Sequence, residues 1–279
     1  MKIEFTKMHG LGNDYIFIDC VRQNLKGIDF KVLARKICHR NLGIGADGII
    51  LILKGQIHPF EMRIYNSDGT QAEMCGNGMR CFARYLYESG FSKKKKQITE
   101  TLAGPIETEI VKKNRDFLIK VNMGRPVLSC KKIPIKNNAK FCVNESLRVN
   151  NRIFKFTAVS IGNPHAVIFV KEFDKDWQKW GKLIENHIRF PQKTNVEFVK
   201  VLDRKTVELK VWERGAGATL ACGTGACAAI VAGVLNGKLE RKVKALFIYG
   251  HLEIDWDKQK DSVFMIGPAE KICDGTYDY

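Results

Sequence analysis

The stretches Met74-Cys75-Gly76-Asn77-Gly78 and Ala221-Cys222-Gly223-Thr224-Gly225 place a cysteine before a Gly-x-Gly sequence twice in one chain. The two cysteines lie 147 positions apart (222 − 75). The residues after each cysteine predict a helix that ends at a glycine 15 positions later, Gly90 in one case and Gly237 in the other. Similar stretches at a fixed spacing predict that the chain is built from a repeated unit.

Segments around the cysteines repeat with nearly the same spacing. Each half is predicted to contain, in one order, a strand after Gly-Asn, a helix behind an aspartate N-cap, and a strand that alternates basic and apolar residues. The matched segments are Gly12-Asn13 with Gly162-Asn163, Asp29–Ile37 with Asp176–Ile184, and Arg63–Asn66 with Lys210–Glu213. Together with the cysteine stretches, they indicate two similar halves, each of a size that is common for a domain.

The predicted fold class is α/β, of the α+β type, with two pseudo-symmetric domains. Strands outnumber helices, which favours mostly antiparallel or mixed sheets. The helix after Cys222 is apolar nearly all round, so we expect a sheet wrapped around a central helix. The half with Cys75 is predicted to span residues 1–122 plus the C-terminal segment 266–279, and the other half residues 123–265. Strands are predicted near residues 2–7, 14–19, 48–53, 60–65, 106–112, 117–122, 154–160, 166–171, 195–201, 206–212, 243–248, 251–256 and 262–266.

Composition limits the classes of partner and compartment. The net charge of +16 raises nucleic acid as a partner, but the basic residues are spread out and no nucleic-acid motif accompanies them. The one dense run, Lys93 to Lys96, is predicted to be a solvated turn. No apolar run of membrane-spanning length is present. Nine cysteines without C-x-x-C spacing fit a reducing compartment, so a cytoplasmic protein is expected.

No cofactor or metal is expected. The glycine-rich segment Gly43–Gly48 matches the dinucleotide-binding pattern G-x-G-x-x-G. It follows a predicted helix and precedes a predicted strand, the reverse of the order that this pattern requires, so we interpret it as a turn. The sequence also contains no P-loop, no histidine-rich metal cluster and no lysine marked for pyridoxal phosphate.

The paired cysteines suggest a chemistry. A thiol at a helix N-terminus faces the positive end of the dipole and several free N–H groups, which favour the thiolate and a lowered pKa. Two such thiols, Cys75 and Cys222, would provide a base and an acid on opposite sides of one carbon. The N–H groups of the glycine-rich first turns would hold the substrate carboxylate while charge develops. Taken singly, either cysteine is better explained as a buried, inert side chain, and it is the pairing of the two that favours catalysis.

The motifs resemble those of one family. Asn66–Thr70, followed after four residues by Cys75–Arg80, resembles the signature of the diaminopimelate epimerases, in which a serine is usual at the position of Thr70. Further matching motifs are Glu213–Gly217 with Ala221–Cys227, His9–Asp14, and Gly162–His165. The sequence departs from the family pattern at Ala218, where an acidic residue is usual, and at Gly48, where some members carry glutamine.

The resemblance implies an isomerase that interconverts LL- and meso-diaminopimelate in lysine and peptidoglycan precursor biosynthesis. It implies two pseudo-symmetric domains with the active site between them. Carried over by position, Cys75 and Cys222 are the base and the acid, and Glu213 and His165 assist near the thiols. The implied substrate-binding residues are Asn13, Asn66, Gly76, Asn77, Asn163, Asn195, Arg214, Gly223 and Thr224. Of these, Arg214 also follows from chemistry, because a guanidinium is the natural bidentate partner of a second carboxylate.

Two alternatives stay open at this point. Another cofactor-free racemase of this fold, for histidine or proline, would use the same pair of thiols. A thiol redox protein is a rival from a different class. The expected partner is a small molecule, diaminopimelate, with neither nucleic acid nor membrane, and a homodimer is left open.

Overall fold

The computed structural model describes residues 1–112, 117–137 and 139–279. The chain divides into two units, one formed by Met1–Val121 with Ile266–Tyr279 and the other by Asn122–Met265. The elements in chain order are β1 (Lys2–Gly10), β2 (Asn13–Asp19), α1 (Phe30–Ile37), β3 (Gly48–Lys54), β4 (Phe60–Asn66), β5 (Gln71–Ala72), α2 (Gly76–Glu88), β6 (Lys96–Glu100), β7 (Ile106–Lys112), β8 (Leu118–Asn122), β9 (Glu145–Val149), β10 (Arg152–Ser160), β11 (Pro164–Val170), α3 (Trp177–Glu185), β12 (Asn195–Asp203), β13 (Thr206–Glu213), β14 (Gly217–Thr219), α4 (Gly223–Leu235), β15 (Lys242–Phe247), β16 (Gly250–Trp256), β17 (Val263–Pro268) and β18 (Glu270–Asp278).

The first unit is a mixed sheet with α2 against it. Strand β1 pairs antiparallel with β2 and β18, β2 pairs parallel with β3, and β3 pairs antiparallel with β4. Strand β4 then pairs parallel with β6, and β6, β7 and β8 follow antiparallel. Helix α2 contacts β1, β2, β3 and β7. Its buried side chains include Met79, Phe82 and Leu86, so α2 is the central helix of this unit.

The second unit has the same order of elements. Strand β10 pairs antiparallel with β9 and β11, β11 pairs parallel with β12, and β12 pairs antiparallel with β13. Strand β13 pairs parallel with β15, which pairs antiparallel with β16. Helix α4 contacts β10, β11, β12 and β16, and its residues from Ala226 to Gly233 are all buried. The predicted fold class, with mixed sheets and a central helix in each half, is confirmed.

The predicted helix ends are also confirmed. Helices α2 and α4 both end two residues before the predicted glycine, and both glycines have a positive φ, 74° at Gly90 and 67° at Gly237. A left-handed residue just past the last turn is the usual helix stop, and glycine adopts it without steric cost. At the start of α1, the Asp29 side chain accepts the N–H groups of Lys31 and Val32 as predicted. Asp176 begins α3 without a side-chain cap hydrogen bond, so that part of the prediction is wrong.

Five strands lie outside the predicted set, namely β5, β6, β9, β14 and β18. The run Lys93 to Lys96 does not end in a turn, because Lys96 begins β6, which pairs with both β4 and β7. Strand β18 is exposed along most of its length and is joined to β1 by backbone pairing. Strands β5 and β14 are only two and three residues long, and β18 lacks a sustained alternation of apolar and polar residues, which is the pattern that marks a strand in a sequence. None of the helices in the described parts of the chain is long and apolar enough to span a lipid bilayer.

The buried guanidinium of Arg80 should be essential to the stability of the first unit. It lies on α2 with no exposed surface, and its Nε donates to the Pro268 carbonyl at 2.9 Å. Arg80→Met should lower the free energy of unfolding by about 3 kcal/mol, because buried carbonyls lose a charged donor. Arg84→Met, one turn along, removes an ion pair with Glu88 and a hydrogen bond to the Ala269 carbonyl from a side chain that water still reaches, and should cost about 1 kcal/mol. Urea unfolding followed by circular dichroism measures both losses, and equal losses would contradict the assigned role of Arg80.

Candidate functional site

Both predicted cysteines cap a helix. The backbone of Cys75 is extended (φ −138°, ψ 120°), as is that of Cys222 (φ −122°, ψ 116°). Each Sγ accepts the backbone N–H of the third helical residue at 3.4 Å, from Gly78 in α2 and from Gly225 in α4. This is the geometry of an N-cap side chain, with sulfur in the place of the usual oxygen. The thiols therefore lie at the positive ends of two helix dipoles.

The first unit surrounds Cys75 with amide and hydroxyl groups. Tyr15 donates its hydroxyl to Cys75 Sγ at 3.3 Å, and Cys75 Sγ donates to Asn13 Oδ1 at 3.5 Å. Asn77 also donates to Asn13 Oδ1, at 3.2 Å. The Asn13 amide nitrogen in turn donates to Asp47 Oδ2 at 2.7 Å, which orients the whole amide. The structure thus brings together the predicted residues Asn13, Cys75 and Asn77.

Charged residues hold this half of the site in place. Arg40 bridges Asp14 and Asp47 at 2.9 and 2.8 Å, and Lys7 contacts Asp14 at 3.0 Å. Burial alone would raise the pKa of Asp14, but its hydrogen bonds with Arg40 and Lys7 outweigh burial and lower the pKa. Asp14 is therefore ionised at neutral pH, and the cluster fixes the loop that presents Asn13.

Asn66 occupies a different setting from Asn13 and Asn77. It ends β4, and its amide donates to Thr70 Oγ1 at 3.0 Å within the turn that leads to β5. That turn contains Gly69 with φ 83°. Among the described residues no hydrogen bond joins Asn66 to the Cys75 cluster.

In the second unit, hydrogen bonds join four predicted residues in a chain. His165 Nε2 lies 2.8 Å from Asn163 Oδ1, and the Asn163 amide nitrogen donates to Thr224 Oγ1 at 3.4 Å. Thr224 Oγ1 lies 3.4 Å from Cys222 Sγ. The other ring nitrogen of His165, Nδ1, lies 2.7 Å from Oε1 of Glu197. Glu197 is not among the residues predicted from the sequence.

Burial dominates the electrostatics around Cys222. It raises the pKa of the Cys222 thiol well above the ordinary value, and the negative charges of Glu213 and Glu197 raise it further. Hydrogen bonds from Thr224 and Gly225 lower the pKa of this thiol, but their effect is smaller than that of burial and the two charges. The expectation that a helix N-terminus lowers this pKa is therefore wrong for Cys222, because the loss of water around the sulfur outweighs the dipole.

Glu213 is the acidic residue whose charge most strongly affects the Cys222 thiol. Burial raises its pKa, while hydrogen bonds from Thr219 and from the Cys222 thiol oppose the shift. The Thr219 hydroxyl donates to Glu213 Oε1 at 2.6 Å. A carboxyl and a thiol that lie near each other, both with raised pKa values, can pass a proton between them.

Arg214 is held by its backbone and exposed at its charged end. Its N–H donates to Asn195 Oδ1 at 2.9 Å, and the Asn195 amide nitrogen donates to the Pro164 carbonyl at 2.8 Å. The guanidinium donates to the Gln192 carbonyl at 3.3 Å, and no carboxylate of the described residues forms an ion pair with it. Glu185 accepts the N–H of Gly215 and so anchors the same loop. This arrangement leaves most donors of the fork available to an incoming carboxylate.

The family follows from a comparison of the whole sequence. The model of the family described as diaminopimelate epimerase matches residues 5–129 and 157–272. The chain belongs to the diaminopimelate epimerase family. Proteins with that name from Pelotomaculum thermopropionicum and Carboxydothermus hydrogenoformans are 48% and 50% identical to it, with 99% of both chains covered in each case. A Bacillus anthracis phenazine biosynthesis protein of the PhzF family has a TM-score of 0.73 at 15% identity over the full length of both chains, so it shares the fold.

Two residues near the cysteines of this diaminopimelate epimerase family member, Tyr15 and Glu197, were not predicted from the sequence. Tyr15 lies 150 positions before His165, and the repeat alone would have pointed to it as a residue near Cys75. Glu197 is the single acidic residue in the buried run from Asn195 to Val199, and a charge in such a run was the available signal. In the described parts of the chain, no group of three or more His, Cys, Asp or Glu side chains is placed to hold a metal ion.

The raised pKa of Cys222 predicts how its alkylation depends on pH. A thiol with a raised pKa keeps its proton to a higher pH, so the rate of Cys222 alkylation by iodoacetamide should still be increasing above pH 9. Peptide mass spectrometry measures that rate for Cys222 alone. The same peptide in urea-unfolded protein is the control and should level off near the ordinary thiol pKa of about 8.5. A rate for the folded protein that levels off below pH 8 would contradict the proposed effect of burial.

Proposed function

We propose that this protein interconverts LL- and meso-diaminopimelate without a cofactor, with Cys75 and Cys222 as the two acid–base groups. The observation that carries the proposal is that both cysteines are helix N-caps followed by Gly-x-Gly, in a chain of this family. Inversion at one carbon requires a base on one face and an acid on the other, and two thiols meet that need.

The proton inventory of the proposed reaction balances. One thiolate sulfur removes the α-proton as the C–H bond breaks, and the electron pair passes into the substrate carboxylate. The other sulfur gives its S–H proton to the opposite face, so one thiol and one thiolate remain at the end. Burial raises the pKa of Cys222 and so favours its thiol form, which makes Cys222 the donor when Cys75 is the base. The roles exchange in the reverse direction.

Neighbouring groups complete the proposed site. The first-turn N–H groups at Gly76, Asn77, Gly223 and Thr224 hold the carboxylate at the reacting carbon, since a helix N-terminus favours an anion. Glu213 exchanges a proton with the neighbouring Cys222, and His165 fixes the amide of Asn163. The remaining substrate contacts are assigned to Asn13, Asn66, Asn163, Asn195 and Arg214.

The proposed setting follows from this chemistry. The substrate is a small metabolite, so neither nucleic acid nor a membrane takes part, and the reaction belongs to lysine and peptidoglycan precursor biosynthesis in the cytoplasm. A homodimer is left open as the assembly.

Loss of either thiol should stop the reaction. Cys75→Ala and Cys222→Ala should each lower the rate of epimerisation by at least about a thousandfold, because each thiol is needed in both directions. The measurement is deuterium incorporation into diaminopimelate in D₂O, together with separation of the LL and meso forms. Cys227→Ala, five residues further along α4, is the matched control and should stay within a few fold of the unaltered protein. Appreciable epimerisation by either single variant would rule out the two-thiol mechanism.

Arg214 should determine the preference for a second carboxylate. Arg214→Ala should lower kcat/KM for LL-diaminopimelate by about tenfold or more, since a charged hydrogen bond contributes about 1.5–3 kcal/mol. Arg214→Lys keeps the charge but loses the planar fork and should not restore activity.

Steady-state kinetics of both variants, on diaminopimelate and on a monocarboxylate analogue, test this role. Arg204→Ala removes another exposed arginine of the same unit and is the control. Equal losses on the two substrates would show that Arg214 does not contact the distal carboxylate.

A further inference from the structure

The internal repeat provides a comparison for Glu197. Residues 50 and 197 are related by the same offset as the two cysteines (197 − 50 = 147). The pairing of strands supports the match, because Tyr15 pairs with Gly48 across the parallel strands β2 and β3, and His165 pairs with Asn195 across β11 and β12. Ile50 lies two residues after Gly48, and Glu197 lies two residues after Asn195, so Ile50 and Glu197 occupy equivalent places.

Both residues lie against the first turn of the central helix. A Cβ added at Gly78 would lie 2.7 Å from Ile50 Cδ1, and a Cβ added at Gly225 would lie 2.8 Å from Glu197 Oε1. An apolar side chain therefore fills this place in the first unit, and packing alone does not require a carboxylate in the second. A buried acid where an apolar residue suffices is costly unless its charge is used.

The partner of the Glu197 carboxylate is His165. Both side chains are fully buried, and His165 Nδ1 lies 2.7 Å from Glu197 Oε1. The Oε2 atom of Glu197 has no hydrogen-bond partner among the described residues, so Oε1 carries the interaction. The first turn of α4 lies beside this oxygen, and the positive end of the helix dipole stabilises a carboxylate there.

The hydrogen-bond chain indicates which atoms carry protons. Because the Asn163 amide nitrogen donates to Thr224, its Oδ1 faces His165 and accepts from Nε2. If Nδ1 donates to an ionised Glu197, both ring nitrogens carry hydrogen and His165 is an imidazolium. Thr224 Oγ1 accepts from Asn163 and keeps its own hydrogen to donate to Cys222 Sγ. From His165 Nε2 onward, every donor in the chain then points toward the sulfur.

We propose that Glu197 is a positioning residue that holds His165 as an imidazolium, and that the resulting hydrogen-bond chain presents the Thr224 hydroxyl to Cys222 as a donor to the thiolate. The kinetic consequence rests on the proposed function. The titratable groups that face Cys222 are Glu213, Glu197 and, through Asn163 and Thr224, His165. In the first unit Tyr15 donates directly to Cys75, so no equivalent carboxylate is needed there.

The protonation of His165 is the first measurement. Two-dimensional ¹H–¹⁵N spectra of the histidine side chains, with His165 assigned by a His165→Gln variant, distinguish the imidazolium from the neutral ring. We expect two protonated ring nitrogens in the unaltered protein at pH 7.5. In Glu197→Gln the ring should become neutral, because a lone buried cation is unfavourable. Glu172→Gln, which removes an exposed carboxylate of the same unit, should leave the spectrum unchanged.

Kinetics provide the second measurement. Glu197→Gln should lower kcat for epimerisation by at least about tenfold, toward the lower range of acid–base effects, while KM changes by less than about threefold. Glu197→Asp keeps the charge and should recover part of the loss, whereas Glu197→Ile, which copies the first unit, should not. Glu172→Gln should keep the unaltered rate.

The outcomes separate the two proposals. A neutral His165 in the unaltered protein overturns the positioning role without any variant, and so does an imidazolium that persists in Glu197→Gln. If circular dichroism shows that a Glu197 variant does not fold, the spectrum of the unaltered protein still decides. If the unaltered protein does not epimerise diaminopimelate but His165 behaves as expected, the proposed function fails and the assignment of Glu197 stands.

Discussion

In both units a cysteine Sγ accepts the backbone N–H of the glycine three residues further on, at 3.4 Å, and the surrounding structure depends on this cap. The cap places sulfur at the end of a helix that is buried against the sheet. At the third helical position, a Cβ at Gly78 or Gly225 would come within 2.8 Å of a side-chain end on the neighbouring strand, and that side chain would have to move. The second glycine of each Gly-x-Gly sequence therefore serves close packing as well as anion binding.

The two caps share a backbone frame but differ in their charges. Cys75 is bonded to a phenol and an amide, Tyr15 and Asn13. Cys222 is buried beside two acids, Glu213 and Glu197, which raise its pKa together with the loss of solvent. A repeated fold therefore does not make the two thiols equivalent. The surroundings of the two thiols differ because of side chains on the strands. At these positions the two units have the same backbone arrangement but different residue types.

Much of the fold could be predicted from local patterns. The fold class, the helix ends at Gly90 and Gly237, and the strands with strong apolar alternation were all confirmed. Strands β6 and β18 were not predicted, because β18 is mostly exposed and β6 follows a run of lysines. Both strands are held by backbone hydrogen bonds to neighbouring strands. Such bonds do not depend on residue type, so the sequence pattern does not reveal them.

The sequence by itself determined that two cysteines begin two similar glycine-rich helices, because caps, glycine stops and repeats are properties of short stretches. It did not determine the protonation of Cys222 or the link between Glu197 and His165. Those residues are 32 positions apart and meet only because β11 and β12 run side by side. A pKa depends on how much water packing removes and on which charges it brings near, so only the tertiary structure decided it.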